Sequence, residues 1–161
     1  MTLVRLLHIL VGIWMVSGLI GRWITYTQAT RAADLPTAAT LLKASDLFER
    51  LMVIPSSPAV LVLGLLTAWL QGQPVFGFLQ GARANWLLVS LVLFVGLIPL
   101  IVLVLAPRRK RRLAALDTAL AGGTFTADLR AALADRAVVA SRMAELLIVG
   151  IVLTLMILKP F

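Results

Sequence analysis

Few side chains in this chain could do chemistry, and most of those lie inside apolar stretches. His8 is the single histidine, and cysteine is absent. Imidazole ligates metals and carries protons, and a His–Met pair can hold a haem iron. Met15 lies two turns below His8 on the same helix, so it cannot face it across one porphyrin. Met156 lies at a similar depth on a different helix and can. His8 and Met156 are therefore the candidate cofactor ligands, with haem b as the compatible cofactor and no metal beyond a haem iron at His8. The plain alternative is an interfacial histidine bonded to a backbone carbonyl. The lack of Cys excludes disulfides, thiolate metal sites and cysteine redox steps. No phosphate-binding glycine loop, nucleophile elbow or pair of catalytic carboxylates can be found, so no catalytic residue is assigned.

A second group consists of Arg22, Arg50, Ser57, Arg142 and Glu145. Counted from the outer ends of their helices, Ser57 and Glu145 lie roughly 20 Å down, Arg142 about 24 Å and Arg22 about 28 Å. An unpaired charge at such depth costs about 2.5–3.5 kcal/mol on insertion scales. Glu145 is thus expected to pair with Arg22, Arg50 or Arg142, the last being three residues away on one helix face. The group reads either as a polar pocket in the inner half of a bundle or as a structural ion pair between helices.

The elements that must position these residues follow from composition. At 61% hydrophobic and 14% charged, with a mean hydropathy of +1.01, the chain is too apolar for a soluble domain. The class is all-α: a polytopic membrane protein, one four-transmembrane-helix bundle over residues 1–161, with short amphipathic helices on the cytoplasmic face. Spans are expected at about 3–26, 50–70, 86–106 and 137–158. The uncharged run Trp86–Ala106 would be roughly 31 Å long as a helix, the thickness of a hydrocarbon core. Pro107 and the cations at 108–112 close it, and such basic loops stay in the cytoplasm. This places both termini outside and leaves only Arg5, Arg83 and Lys159, of 15 Lys and Arg, on the outer side. The net charge of +8 is thereby assigned to topology and anionic lipid rather than to nucleic acid. Arg5 and a short apolar run imitate a signal peptide, but the apolar stretch is long and lacks a small-residue cleavage site.

Local signals fill in the rest. Gly12, Gly18 and Gly21 would let a neighbouring helix approach the first span closely. Pro55 and Pro58 free the carbonyls of Leu51 and Ile54, which in lipid must be satisfied by Ser56, Ser57, water or another helix. That kink is expected to face protein. Residues 27–49, with Asp34 as N-cap and Pro36 in the first turn, read as an amphipathic helix on the inner face that runs into the second span. Leu113, Leu116 and Leu120 continue past the basic run as a surface helix until Gly122–Gly123, and Thr126 caps a further short helix.

Leu7-His8 with Trp14, Gly18 and Arg22 resembles the first span of the HemJ-type protoporphyrinogen oxidases. Arg50-Leu51-Met52 with Pro58-Ala59 is similar to their second span; Trp86-Leu87, Arg142, Glu145 and Lys159-Pro160-Phe161 resemble the remainder. The Pro-containing second span, the basic loop and the ending Leu155–Pro160 also resemble a family of bacterial predicted integral membrane proteins of unknown function. Both are similar to CopD-type membrane domains. The resemblance implies a four-helix bundle with His8 in the place of the oxidases' first-span histidine. It also shows departures: Ser90 stands where those oxidases carry lysine, and the third span has no histidine. The balance is against protoporphyrinogen oxidase activity and against an enzyme.

The expectation is an integral protein of a bacterial inner (plasma) membrane, haem-binding or redox-associated through His8. The alternative is a non-enzymatic bundle that binds a lipid, small molecule or partner subunit in a kinked inner-leaflet polar pocket. Expected partners are membrane lipids, with a homo-oligomer or a membrane partner subunit compatible; nucleic acid is not among them. A small transporter is disfavoured, because four spans without repeats form a pathway only by oligomerising. A reporter fused at the C-terminus should be active only if its fold matures outside the cytoplasm. Activity of a cytoplasm-only reporter there would contradict the topology.

Overall fold

The computed structural model describes residues 2–81, 83 and 85–160. Seven α-helices account for most of them: α1 (Thr2–Ala29), α2 (Leu35–Phe48), α3 (Ile54–Leu70), α4 (Trp86–Pro99), α5 (Ala106–Gly122), α6 (Ala127–Leu133) and α7 (Arg136–Leu158). Two pairs are continuous rods. The π-helical segment Glu49–Val53 joins α2 to α3, and another at Leu100–Leu105 joins α4 to α5. At 36 and 37 residues these rods are about 54 and 56 Å long, nearly twice a hydrocarbon core. Among the described residues four helices are long and apolar enough to cross a membrane. Their outward faces carry exposed Val62, Leu103, Leu147 and Ile157, a surface suited to lipid rather than water.

Each π-helical segment is followed by a proline. Ile54 N–H reaches back five residues to Glu49 O and Ala106 N–H to Ile101 O, and Pro55 and Pro107 come next. A proline ring clashes with the carbonyl four residues earlier. Widening the turn ahead of it opens room for the ring without ending the helix. The third span therefore does not stop at Pro107; the helix runs on to Gly122, where Gly123 (φ 67°) caps it. At the first widening the neighbouring helix supplies the missing donor, with Trp14 Nε1 bonded to Leu51 O at 3.4 Å. Ser57 Oγ donates to Val53 O at 2.7 Å, and Ser56 Oγ donates to Met52 O.

Close approach to this segment depends on two glycines of α1. A Cβ built on Gly18 would sit 2.5 Å from Met52 Cβ, and one on Gly21 would sit 2.7 Å from the Phe48 ring. Gly12 does not share the role expected of it, because a Cβ there would meet nothing within 4 Å.

The amphipathic helices pack against one another. The lower half of α1 joins α2, α5, α6 and the start of α7 in a compact cap. Tyr26, Leu42, Leu116 and Leu129 are fully buried in it. Apolar faces that would otherwise need lipid are satisfied by one another. Asp34 caps α2 by accepting from Thr37 N at 2.8 Å, and this bond holds its carboxyl below the usual range. Thr126 Oγ1 accepts from Leu129 N at 3.2 Å to cap α6. Arg108 binds Asp135 at 3.0 Å, while Arg109 reaches Asp46 at 2.6 Å, tying α5 to the cap.

Above the cap, α1 packs on α3 and α4 packs on α7, while α1 and α7 touch only sparsely. Met15, Leu19, Val53, Leu97 and Val149 form the apolar plug between the two pairs. Gly18→Ala should lower stability in detergent by about 1–3 kcal/mol through overpacking, and Gly12→Ala should leave the melting temperature unchanged. Equal shifts in the two variants would contradict the close approach at Gly18.

Candidate functional site

Arg22 is the centre of a buried polar layer where the bundle meets the cap. One guanidinium nitrogen, Nη1, donates to Glu49 Oε2, and Nη2 donates to Glu145 Oε2. Glu145 comes from α7, with its side chain 3% exposed, and Glu49 from the π-helical segment, with its side chain 14% exposed. One cation thus ties three elements that are far apart in sequence. Ser45 Oγ adds a bond to the Arg22 carbonyl at 3.2 Å.

Arg142 lies in the same layer but pairs with no acid there. Its guanidinium stacks 4.2 Å from the Tyr26 ring centroid, and Arg112 lies over the same ring at 5.1 Å. Tyr26 in turn directs its hydroxyl to Leu133 O at 3.4 Å. Glu49, Tyr26 and Arg112 are absent from the residues that the sequence pointed to. Arg112 carried a readable signal: Leu105, Arg108, Arg109, Arg112 and Leu116 have helical spacing and all turn inward, while Lys110 and Arg111 are exposed.

Two of the expected residues stand outside this layer. The side chain of Arg50 is 62% exposed and binds Asp46 at 2.7 Å. It is turned away because the buried spacing of α2, Leu35, Ala38, Leu42 and Ser45, continues to Glu49, whose N–H still bonds Ser45 O, and so brings Glu49 rather than Arg50 against α1. Ser57 is engaged by its own helix, its hydroxyl bonded to Val53 O and 3.9 Å from Met15 Sδ. The polar layer is consequently well filled, with a small cavity of about 100 Å³ beside Arg22, Arg112 and Arg142.

The large cavity is at the opposite end. About 740 Å³ opens between α1, α3, α4 and α7, where the two helix pairs diverge. Ile13, Val60, Phe94 and Val152 are among its apolar walls, and His8 and Met156 both line it. Met15 reaches its inner end. Arg5 and Lys159 stand at its rim; Lys159 Nζ is 5.3 Å from the Trp86 ring. The His8 ring packs over Gly64, where a Cβ would come within 2.9 Å of Cε1, and its buried Nδ1 finds no hydrogen-bond partner among the described residues. Of the tryptophans near this end, Trp86 lines the cavity. Trp69 is exposed, and Trp14 is bonded to Leu51 instead. Among the described residues no group of three or more His, Cys, Asp or Glu is arranged to hold a metal ion.

The chain belongs to the family described as Predicted integral membrane protein (DUF2269), whose profile matches residues 2–160. It is thus an integral, multi-pass membrane protein of a family defined by its membrane character. Comparison with curated proteins and with solved structures found no match.

Because Arg22 holds two carboxylates, its loss leaves both buried without a cation. Arg22→Gln should destabilise the protein by about 3–5 kcal/mol. Glu145→Gln should cost less and Glu49→Gln least, since Glu49 retains more contact with solvent. Thermal or denaturant unfolding in detergent would rank the three variants. A milder effect for Arg22→Gln than for either Glu variant would contradict the arrangement.

Proposed function

We propose that this protein is a non-enzymatic, membrane-embedded binding protein that holds an apolar ligand with an anionic end. The cavity of about 740 Å³ carries this reading: its walls are apolar, and Arg5 and Lys159 stand at its rim. Ligand sites of this size are mostly apolar, with a few polar groups that fix orientation. An apolar body would lie among Ile13, Val60 and Phe94, its anionic group would meet the two cations, and His8 would supply one polar contact inside. In the topology that goes with this reading, the cavity opens to the outer face of a bacterial inner membrane and the cap faces the cytoplasm.

Haem b is the second reading, favoured because His8 and Met156 line the same cavity. The residues fit the group in kind. His8 and Met156 would hold the iron, and Arg5 and Lys159 would receive propionates. The cofactor would supply a redox-active iron; the chain's part would be to bind it and exclude water.

Protein purified from cells supplied with ample haem tests both readings. Extraction and mass spectrometry should find a co-purifying anionic amphiphile, lost on Gly12→Phe, which fills the cavity where a Cβ meets open space. A Soret band abolished by His8→Ala would select haem. Neither an extractable amphiphile nor Soret absorption in the wild type would overturn the proposal.

A further inference from the structure

The polar layer carries more positive than negative charge, and the two arginines without a carboxylate partner line one small cavity. The cavity of about 100 Å³ is lined by Arg22, Glu49, Leu105, Arg109, Arg112 and Arg142 among others. Arg22 is satisfied by Glu49 and Glu145, and Arg109 by Asp46. Arg112 and Arg142 form no salt bridge with any described acidic residue. They are nonetheless only 3% and 4% exposed.

Tyr26 meets part of this charge through its ring, and its hydroxyl also lies toward Arg112, yet three of the buried donors are left over. A guanidinium stacked on an aromatic ring keeps its five N–H groups in the guanidinium plane, where the ring offers no acceptor. Arg112 Nε and both Nε and Nη1 of Arg142 are buried without an acceptor among the described residues. A buried charge left this way is costly by several kcal/mol, and the cost is relieved when a counter-charge with matching acceptors completes the site. A tetrahedral oxyanion has the acceptors that two guanidiniums lining one cavity can share. The space is about that of three waters, enough for one such group. Arg109, partly exposed at the cavity's edge, marks the approach from the basic end.

The geometry points to a phosphate-binding site between α1, α5 and α7, in which Arg112 and Arg142 hold the phosphate of a lipid headgroup or of a free anion entering from the basic end. The test is thermal unfolding of the full chain in a phosphate-free detergent. Sodium phosphate is compared with sodium chloride at matched ionic strength, and dihexanoyl phosphatidic acid with dihexanoyl glycerol. A saturable rise in melting temperature with either phosphate probe is expected. A response to phosphatidic acid alone assigns the site to a lipid headgroup, and a response to inorganic phosphate as well assigns it to free anions too. Arg142→Gln and Arg112→Gln should weaken the apparent affinity at least tenfold, whereas exposed Arg111→Gln should not change it. Where a Gln variant does not fold, the corresponding Lys variant keeps the charge, loses the forked donors, and should show a smaller loss. No response of the wild type to either phosphate probe overturns the inference, as does an unchanged affinity in the folded Arg112 and Arg142 variants.

Discussion

A guanidinium placed inside an apolar bundle is costly unless its charge is met, and the architecture around Arg22 meets it with two carboxylates. Glu145 arrives on the last helix and Glu49 on the widened turn between α2 and α3. Neither could do so without close packing of the elements that carry them. Gly18 and Gly21 bring the 48–53 segment against α1, because a Cβ at either position would collide with Met52 or Phe48. The cap then covers the layer, its core of Tyr26, Leu42, Leu116 and Leu129 standing between the charges and water. Low dielectric strengthens the pairs and at the same time makes any unpaired member expensive. The polar layer and the cap therefore depend on each other.

The two ends of the bundle differ for the same reason. Where Arg22 ties α1 to α7, the helix pairs are held together. Toward Arg5 and Lys159 no such tie exists among the described residues, and the pairs diverge around an apolar cavity. Ion pairing at one end and an open cavity at the other are two consequences of one set of helices fastened at a single level. The basic run also acquires a structural role beyond orientation in the membrane. Arg108 and Arg109 fasten α5 to Asp135 and Asp46, and Arg112 enters the polar layer.

The membrane class and the four long apolar helices were legible from hydropathy, and the caps at Asp34 and Thr126 from residue type. Counted depth put Glu145 roughly 20 Å and Arg22 about 28 Å down, so Arg22 was one of three partners that the sequence left open for Glu145, and it is the one Glu145 meets. Rotation about the helix axis was not legible. A π-helical turn inserts one residue, which turns everything beyond it by about 100° relative to a regular helix. The insertion resets the face of α3 beyond residue 53, whereas Glu49 lies ahead of it and continues the buried spacing of Leu35, Ala38, Leu42 and Ser45. Pro107 likewise reads as a stop, although a widened turn lets the helix pass through it; once the helix is allowed to continue, the inward face of the basic run follows from its spacing. Tyr26 lacked any signal, since its partners Arg112 and Arg142 come from helices remote in sequence.

The most direct test of the central ion pair is a double-mutant cycle between Arg22 and Glu145, with unfolding free energies measured in detergent for the wild type, Arg22→Gln, Glu145→Gln and the double variant. Buried groups in one network couple by about 0.5–3 kcal/mol, and the double variant should be less destabilised than the two single losses added together by an amount in that range. Additive losses, with no coupling beyond error, would contradict the pairing on which the rest of the structure depends.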